Sequence, residues 1–227
     1  MYVPRDFAVH EVEPVVDLIR ANPLACFVTT RDDVPVASHI PVVFVSDDDL
    51  TGLTDLVGVT MYGHLNVLNP QYTALADGDR ALVVFQGPHG YISPTVYEVD
   101  PAAPTWNFSA VHVRGRIRLL GPGEPALKVV KRTVTALEGR FGQGWDMESS
   151  LAYFEKIVPG VGAFEIELEA VDAIFKLSQD QPAELRDKVD CWFRGSDVGT
   201  HRALAAEMDR HRPAAHPTEE KAPRHAD

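Results

Sequence analysis

Cysteine is scarce. The chain has two in 227 residues, Cys26 and Cys191, and neither lies in a C-x-x-C spacing. A disulfide framework, a zinc ribbon and a thioredoxin-type redox pair are therefore excluded. Both cysteines read as reduced, and Cys26, inside the apolar run LACFVTT, reads as a small buried hydrophobe. Positive charge is also short: 21 Lys and Arg face 33 Asp and Glu, for a net charge of -12. A protein that grips a phosphate backbone needs a basic face. The densest basic stretch, KVVKRTVTALEGR (Lys128 to Arg140), has the spacing of a solvated face on an amphipathic helix. Nucleic acid is therefore not an expected partner. No apolar run reaches about 18 residues, so no membrane-spanning helix is expected. The opening MYVPRDFAVHEVEP has neither the basic nor the apolar region of a secretion signal, and a cytoplasmic location is expected. G-x-G-x-x-G after a strand, G-x-x-x-x-G-K-[ST], H-E-x-x-H, G-x-S-x-G and H-x-E with P-C-x-x-C are all missing. Dinucleotide, P-loop, zinc-hydrolase and serine acyl-transfer chemistries thereby lose their usual signatures.

What is present is a globular balance, 45% hydrophobic and 24% charged. One domain over residues 1–212 is expected, with a tail at 213–227 that lacks large apolar side chains and reads as disordered. HEVEPVVDLIRANP has helical spacing and stops at Asn22-Pro23. LACFVTTR and VPVASHIPVVFV flank the short polar RDD and read as a hairpin. A strand ends in VTMYGHL, followed by a short helix or turn closed at Pro70. RALVVFQGP is a continuous apolar run, hence a central strand. NFSAVHVRGRIRLL alternates, with Val111, Val113 and Ile117 against His112, Arg114, Arg116 and Arg118. EPALKVVKRTVTALEGRF and SSLAYFEKIVPG read as helices, VGAFEIELEAVDAIFKLSQ as a pair of strand runs, and AELRDKVDCWF and VGTHRALAAEMDRH as closing helices. Strands joined by turns, without regular helical crossovers, predict a mainly β fold with α additions (α+β): an antiparallel barrel followed by C-terminal helices.

Four constellations can carry chemistry. In MYGHLN, His64 follows a glycine, which lets a flat ligand or a backbone come close. A neutral imidazole there can ligate a metal or haem iron, or it can simply cap a turn. In GPHGYISPTVY, a loop stiffened by Pro88 and Pro94 presents His89, Tyr91, Ser93 and Tyr97, and PTWNF adds Trp106 and Asn107. That mixture suits a planar heteroaromatic ligand held without much ordering cost, or a proline-braced turn packed by its own aromatics. In TTRDDVPVASH, Thr29, Thr30, Arg31, Ser38 and His39 can hold an anion, or be ordinary strand hydroxyls. In FKLSQDQP, Lys176, Ser178 and Gln179 lie between a strand and a helix, where donors favour anions; the alternative is a polar loop with Ser178 near a helix cap.

The segments MYVPRDF, YGHLNVLNPQ, FQGPHGYISPTVY, PTWNFSAVHVRG and KLSQDQ occur in an order and spacing that resemble the FMN-binding split-barrel proteins, a family that includes negative transcriptional regulators of protease synthesis and sporulation. The resemblance covers roughly residues 1–190. It implies a split β-barrel like that of pyridoxamine phosphate oxidase, usually a homodimer with its cofactor at the subunit interface. Two positions depart from the regulators: Val96 stands where they typically have Trp, and Asp180 where they usually have Asn. DPAAPTWNF is similar instead to the haem-dependent L-piperazate synthase branch, which closes N5-hydroxy-L-ornithine into a six-membered ring by forming an N–N bond with loss of water. That resemblance implies haem b with His64 as the axial ligand, an amino-acid substrate, and Tyr62, Ser93, Trp106 and Asn107 against the cofactor. His89, Tyr91 and His112 are then candidates for moving protons, and Lys176 or Arg114 for anchoring a carboxylate. The alternatives are an FMN-binding regulator or flavin-binding module, and a flavin-dependent oxidoreductase.

Overall fold

The computed structural model describes residues 1–47 and 50–212; the expected tail at 213–227 lies outside them. Six strands form an antiparallel sheet that closes into a barrel in the order β1-β2-β3-β6-β5-β4. They are β1 (Leu24–Arg31), β2 (Val34–Phe44), β3 (Thr60–Asn66), β4 (Arg80–Ile92), β5 (Thr105–Leu119) and β6 (Val161–Lys176). Closure leaves no unpaired sheet edge among them. The expected mixed, mainly β architecture is therefore present.

Two compact units make up the chain. The first comprises Met1–Gly87 and Ser109–Phe175. Its interior is apolar: Phe27 stacks on Phe164 with ring centroids 4.9 Å apart, among Val83, Phe85, Val111, Val113 and Ile166, all without exposed surface. β1 and β2 pair residue for residue from Leu24↔Pro41 to Arg31↔Val34, with Asp32 and Asp33 at the turn in the left-handed region that aspartate tolerates. Helix α1 (Val12–Ala21) buries Val15, Val16, Leu18 and Ile19, at the spacing of one helical face. Helix α4 (Glu124–Phe141) buries Ala126, Leu127 and Val129 against Val43, Tyr62 and Ala163 on the outside of the sheet, and leaves its charged face in solvent. Helix α5 (Leu151–Ile157) adds Phe154 to that cluster.

The second unit comprises Pro88–Phe108 and the chain from Lys176 onward. It holds α3 (Pro94–Tyr97), α6 (Ala183–Arg194) and α7 (Gly199–Arg210). Phe193 has no exposed surface and meets His201 edge to face at 5.0 Å. Gly90 makes room for both: a Cβ there would lie 2.5 Å from the Phe193 ring.

Four local expectations change. GPHGYI is strand, not loop, because β4 runs on to Ile92; Pro88 is placed where burial changes phase, as proline allows at a strand irregularity. Trp106 and Asn107 lie within β5, not at an edge before it. Pro70 opens helix α2 (Pro70–Thr73) rather than closing one: Asn69 caps it, its side chain accepting from the Gln71 amide at 2.8 Å, and proline suits the first helical position. The two runs in VGAFEIELEAVDAIFK form one strand whose alternation changes phase between Glu169 and Asp172.

Candidate functional site

On β3, alternate residues face opposite ways. A Cβ on Gly63 would stand 2.6 Å from Phe164 Cε2 and 3.5 Å from Ile40 Cδ1, so this position points into the barrel. Tyr62 and His64 point to the outer face. Tyr62 is core there, packed with Val43, Leu127 and Val129. His64 is half-buried, and its Nδ1 is fully buried with no hydrogen-bond partner among the described residues. Burial pushes its pKa below the ordinary histidine value, so the ring is neutral at pH 7. An unpaired buried polar atom costs about 1–3 kcal/mol and asks for a reason. A neutral imidazole with an uncommitted nitrogen is a metal ligand in waiting. Among the described residues, no three His, Cys, Asp or Glu side chains gather as a metal site. A metal taken by His64 must therefore bring most of its ligands with it.

Further along the same unit, β5 presents His112 half-buried. Burial lowers its pKa; the amino terminus and Arg114 act in the same direction, while Asp172 opposes them. The ring is therefore neutral near pH 7 and able to accept a proton. Arg114 is held by Asp172 at 2.7 Å, Arg116 by Glu169 at 2.6 Å and Arg118 by Glu165. The basic strip of β5 is thereby matched acid for base by β6.

The second unit gathers the other expected residues. Trp106 lies between His89 (5.5 Å) and Tyr91 (5.9 Å, edge-on), with about half of the Trp106 surface exposed. Ser93 caps α3, its Oγ accepting from the Thr95 amide at 3.3 Å and from Thr95 Oγ1 at 2.9 Å. Asn107 is fully buried; its Nδ2 donates to Ser178 Oγ at 2.9 Å, and the Ser178 hydroxyl donates back to Oδ1 at 3.2 Å. Lys176 Nζ donates to Thr105 Oγ1. Thr105, Asn107, Lys176 and Ser178 line a cavity of about 420 Å³ together with Tyr97, Asp180 and Leu185; Trp106, His89, Tyr91 and Ser93 are not part of its lining. Tyr97 is held as the neutral phenol: burial raises its pKa, and the Asp180 charge adds to it.

His89, Tyr91 and Trp106 are thus brought together, as are Asn107 and Lys176 at the cavity; His64, Tyr62 and His112 belong to the first unit. The hairpin hydroxyls serve structure. Thr29 Oγ1 accepts from Gln71 Nε2 at 3.0 Å, Ser38 Oγ from Asn69 Nδ2 at 3.2 Å, and Arg31 pairs with Asp32 at 3.5 Å. Sequence reasoning passed over Thr105 and Gln71. Thr105 and Asn107 share a strand face two residues apart, as Lys176 and Ser178 share a spacing, and that pattern was a usable signal. Gln71 donates to the Phe27 and Val36 carbonyls, each at 3.2 Å, a role visible only in three dimensions.

A family model described as "Putative FMN-binding domain" matches residues 1–170. The chain belongs to this FMN-binding domain family. It is 32% identical over 182 residues to protease synthase and sporulation protein PAI 2 of Bacillus subtilis, covering 80% of this chain and 83% of that protein. Protein AN0679 of Emericella nidulans is 28% identical, covering 88% and 93%. Among solved structures, flavocytochrome Anf3 from Azotobacter vinelandii superposes with a TM-score of 0.53 at 14% identity, over 100% of this chain and 87% of that one. At that identity the likeness speaks for the fold alone. It agrees with the split barrel expected of an FMN-binding-family member. Among the described residues, no helix is long and apolar enough to cross a membrane.

Proposed function

We propose that this member of the FMN-binding domain family is a haem-dependent cyclase that converts N5-hydroxy-L-ornithine to L-piperazate with loss of water. The observation that carries the reading is His64: one half-buried neutral imidazole, its buried Nδ1 unpaired, with no second protein ligand gathered as a metal site among the described residues. A macrocycle that supplies four nitrogens to its own iron needs one such imidazole. His64 is only half-buried on the outer face of β3, which leaves part of its ring open to a group arriving from that side. The side chains present therefore fit haem b, held by His64.

When bound, the group supplies a Lewis acid that favours departure of hydroxide from nitrogen. The chain's own residues carry the rest. In the net reaction, the α-amine lone pair forms the N–N bond, the N–O bond breaks, and the hydroxide leaves as water with a proton from the amine. A neutral His112 is suited to accept that proton, and His89 and Tyr91 are further candidates. Trp106 offers an exposed aromatic plane, and Asn107 and Ser178 a fixed polar edge. Folding a flexible chain so that its two nitrogens meet is chiefly a positioning task. A homodimer with the cofactor at the subunit boundary completes the proposal.

The second reading is an FMN-binding module or regulator, favoured by the family match over residues 1–170. Absorbance separates the two. Purified protein supplied with haem is expected to show a Soret band that His64→Ala abolishes, and to release one water from N5-hydroxy-L-ornithine. Flavin absorbance indifferent to His64, with no Soret band, would overturn the haem reading in favour of the second.

A further inference from the structure

The cavity of the second unit holds more chemistry than a surface cleft requires. Its volume, about 420 Å³, falls in the range of small-molecule sites, roughly 300–1,000 Å³. Three kinds of group line it. Lys176 brings an ammonium, with Thr105 Oγ1 as one of its acceptors. Asp180 brings a carboxylate whose only hydrogen bond among the described residues is from the neighbouring Gln181 amide, at 2.9 Å. Val99, Pro101, Ala102, Pro104 and Leu185 supply an apolar wall. At its floor, Asn107 (0% exposed) and Ser178 (3% exposed) hold each other.

The backbone around the cavity is also set in an unusual way. Ser178 has φ 63° and Glu98, just before the cavity's loop, has φ 56°, both left-handed without being glycine. Such conformations cost of order 1 kcal/mol each and gather at ligand sites. Ser178 additionally has its side chain buried in that strained position, where it meets a fully buried amide. A loop shaped only by turn chemistry would place glycine or asparagine there.

An ammonium and a carboxylate on one small cavity, with a methylene-compatible wall, match a zwitterion. We infer that this cavity binds a free α-amino acid, Lys176 taking its α-carboxylate and Asp180 its α-ammonium, with the side chain along the apolar wall. The choice of amino acid rests on the proposed reading; the recognition of a zwitterion rests on the cavity itself.

The test is equilibrium binding of L-ornithine to the full chain, with and without haem, by calorimetry. Wild type is expected to bind, and both Lys176→Met and Asp180→Asn to lose at least tenfold in affinity. Two truncated ligands assign the ends. 1,4-Diaminobutane, which lacks the carboxylate, should bind weakly and ignore Lys176→Met. 5-Aminopentanoate, which lacks the α-amine, should bind weakly and ignore Asp180→Asn. A melting curve on each variant checks folding, and Lys176→Arg, which keeps the charge, should retain most of the affinity. Ornithine binding that is unchanged in both charge variants overturns the inference. So does its absence from wild type, or binding of inorganic phosphate that depends on Lys176 while ornithine is ignored. Ornithine binding in a chain that takes up no haem keeps the inference and removes the haem reading; haem uptake without ornithine binding does the reverse.

Discussion

The outer face of β3 and the cavity of the second unit handle polar groups in opposite ways. On the outer face of β3, Tyr62 joins an apolar cluster, and at His64 one buried nitrogen is left unanswered among the described residues. In the cavity the buried amide and hydroxyl answer each other, and the charges stand at the rim of open space. The first arrangement stores an unmet coordination preference. The second spends its polarity on fixing the wall, so that Lys176 and Asp180 have a rigid frame. A face that waits for one strong ligand needs little else; a face that recognises a charge pattern must first be organised.

Perturbations should separate the two. The largest effect is expected from Phe164→Ala, which removes a fully buried ring beneath Gly63 and the Phe27 stack. A loss of about 3–5 kcal/mol in chemical denaturation is expected, together with weakened haem binding, because β3 loses its inner support. Ornithine affinity should hold in the molecules that remain folded. Asn107→Ala reverses the pattern. It strands the buried Ser178 hydroxyl, at about 1–3 kcal/mol, and should loosen ornithine binding while leaving the Soret band in place. Equal damage to both readouts would end the contrast.

Acidity gives a third handle. The folded pKa of His112 lies below its ordinary 6.5 through burial, the amino terminus and Arg114, against Asp172. The unfolded chain then binds a proton below about 6.5 that the folded chain refuses, so stability falls as pH drops through that window. The melting temperature of His112→Phe should decline less than that of wild type between neutral and mildly acidic pH; parallel declines would remove His112 from the account. The smallest effect belongs to the surface. Arg118→Met deletes an exposed partner of Glu165 and is expected to cost under about 1 kcal/mol, less at high salt; a larger, salt-independent loss would mean that the pair is structural.

Much of the fold was legible because alternation and turn chemistry agree. RALVVF, the hairpin about RDD and the arginine face of β5 each declare their period. The misread segments have specific causes. Glycine and proline in GPHGYI mimic a loop, yet the strand continues through them because the barrel offers β4 a partner that local propensity does not see. VGAFEIELEAVDAIFK looked like two runs because its alternation truly breaks phase. Of the candidate site, His64, Asn107 and Lys176 were marked by motif, but the unpaired state of the His64 nitrogen depends on what lies across the sheet. The joining of Thr105 to Lys176 depends on strands 71 positions apart.

The ladder of Arg118 with Glu165, Arg116 with Glu169 and Arg114 with Asp172 has a consequence for assembly of the sheet. A one-residue slip of β6 would exchange its two faces, turning Ile166 and Leu168, which belong inside, outward and carrying Glu165 and Glu169 inward. The phase break before Asp172 lets a third rung form where strict alternation would forbid it. The outer surface therefore works as a vernier scale: the strands read their correct alignment from charge on one side while the aromatic interior reads it from shape on the other.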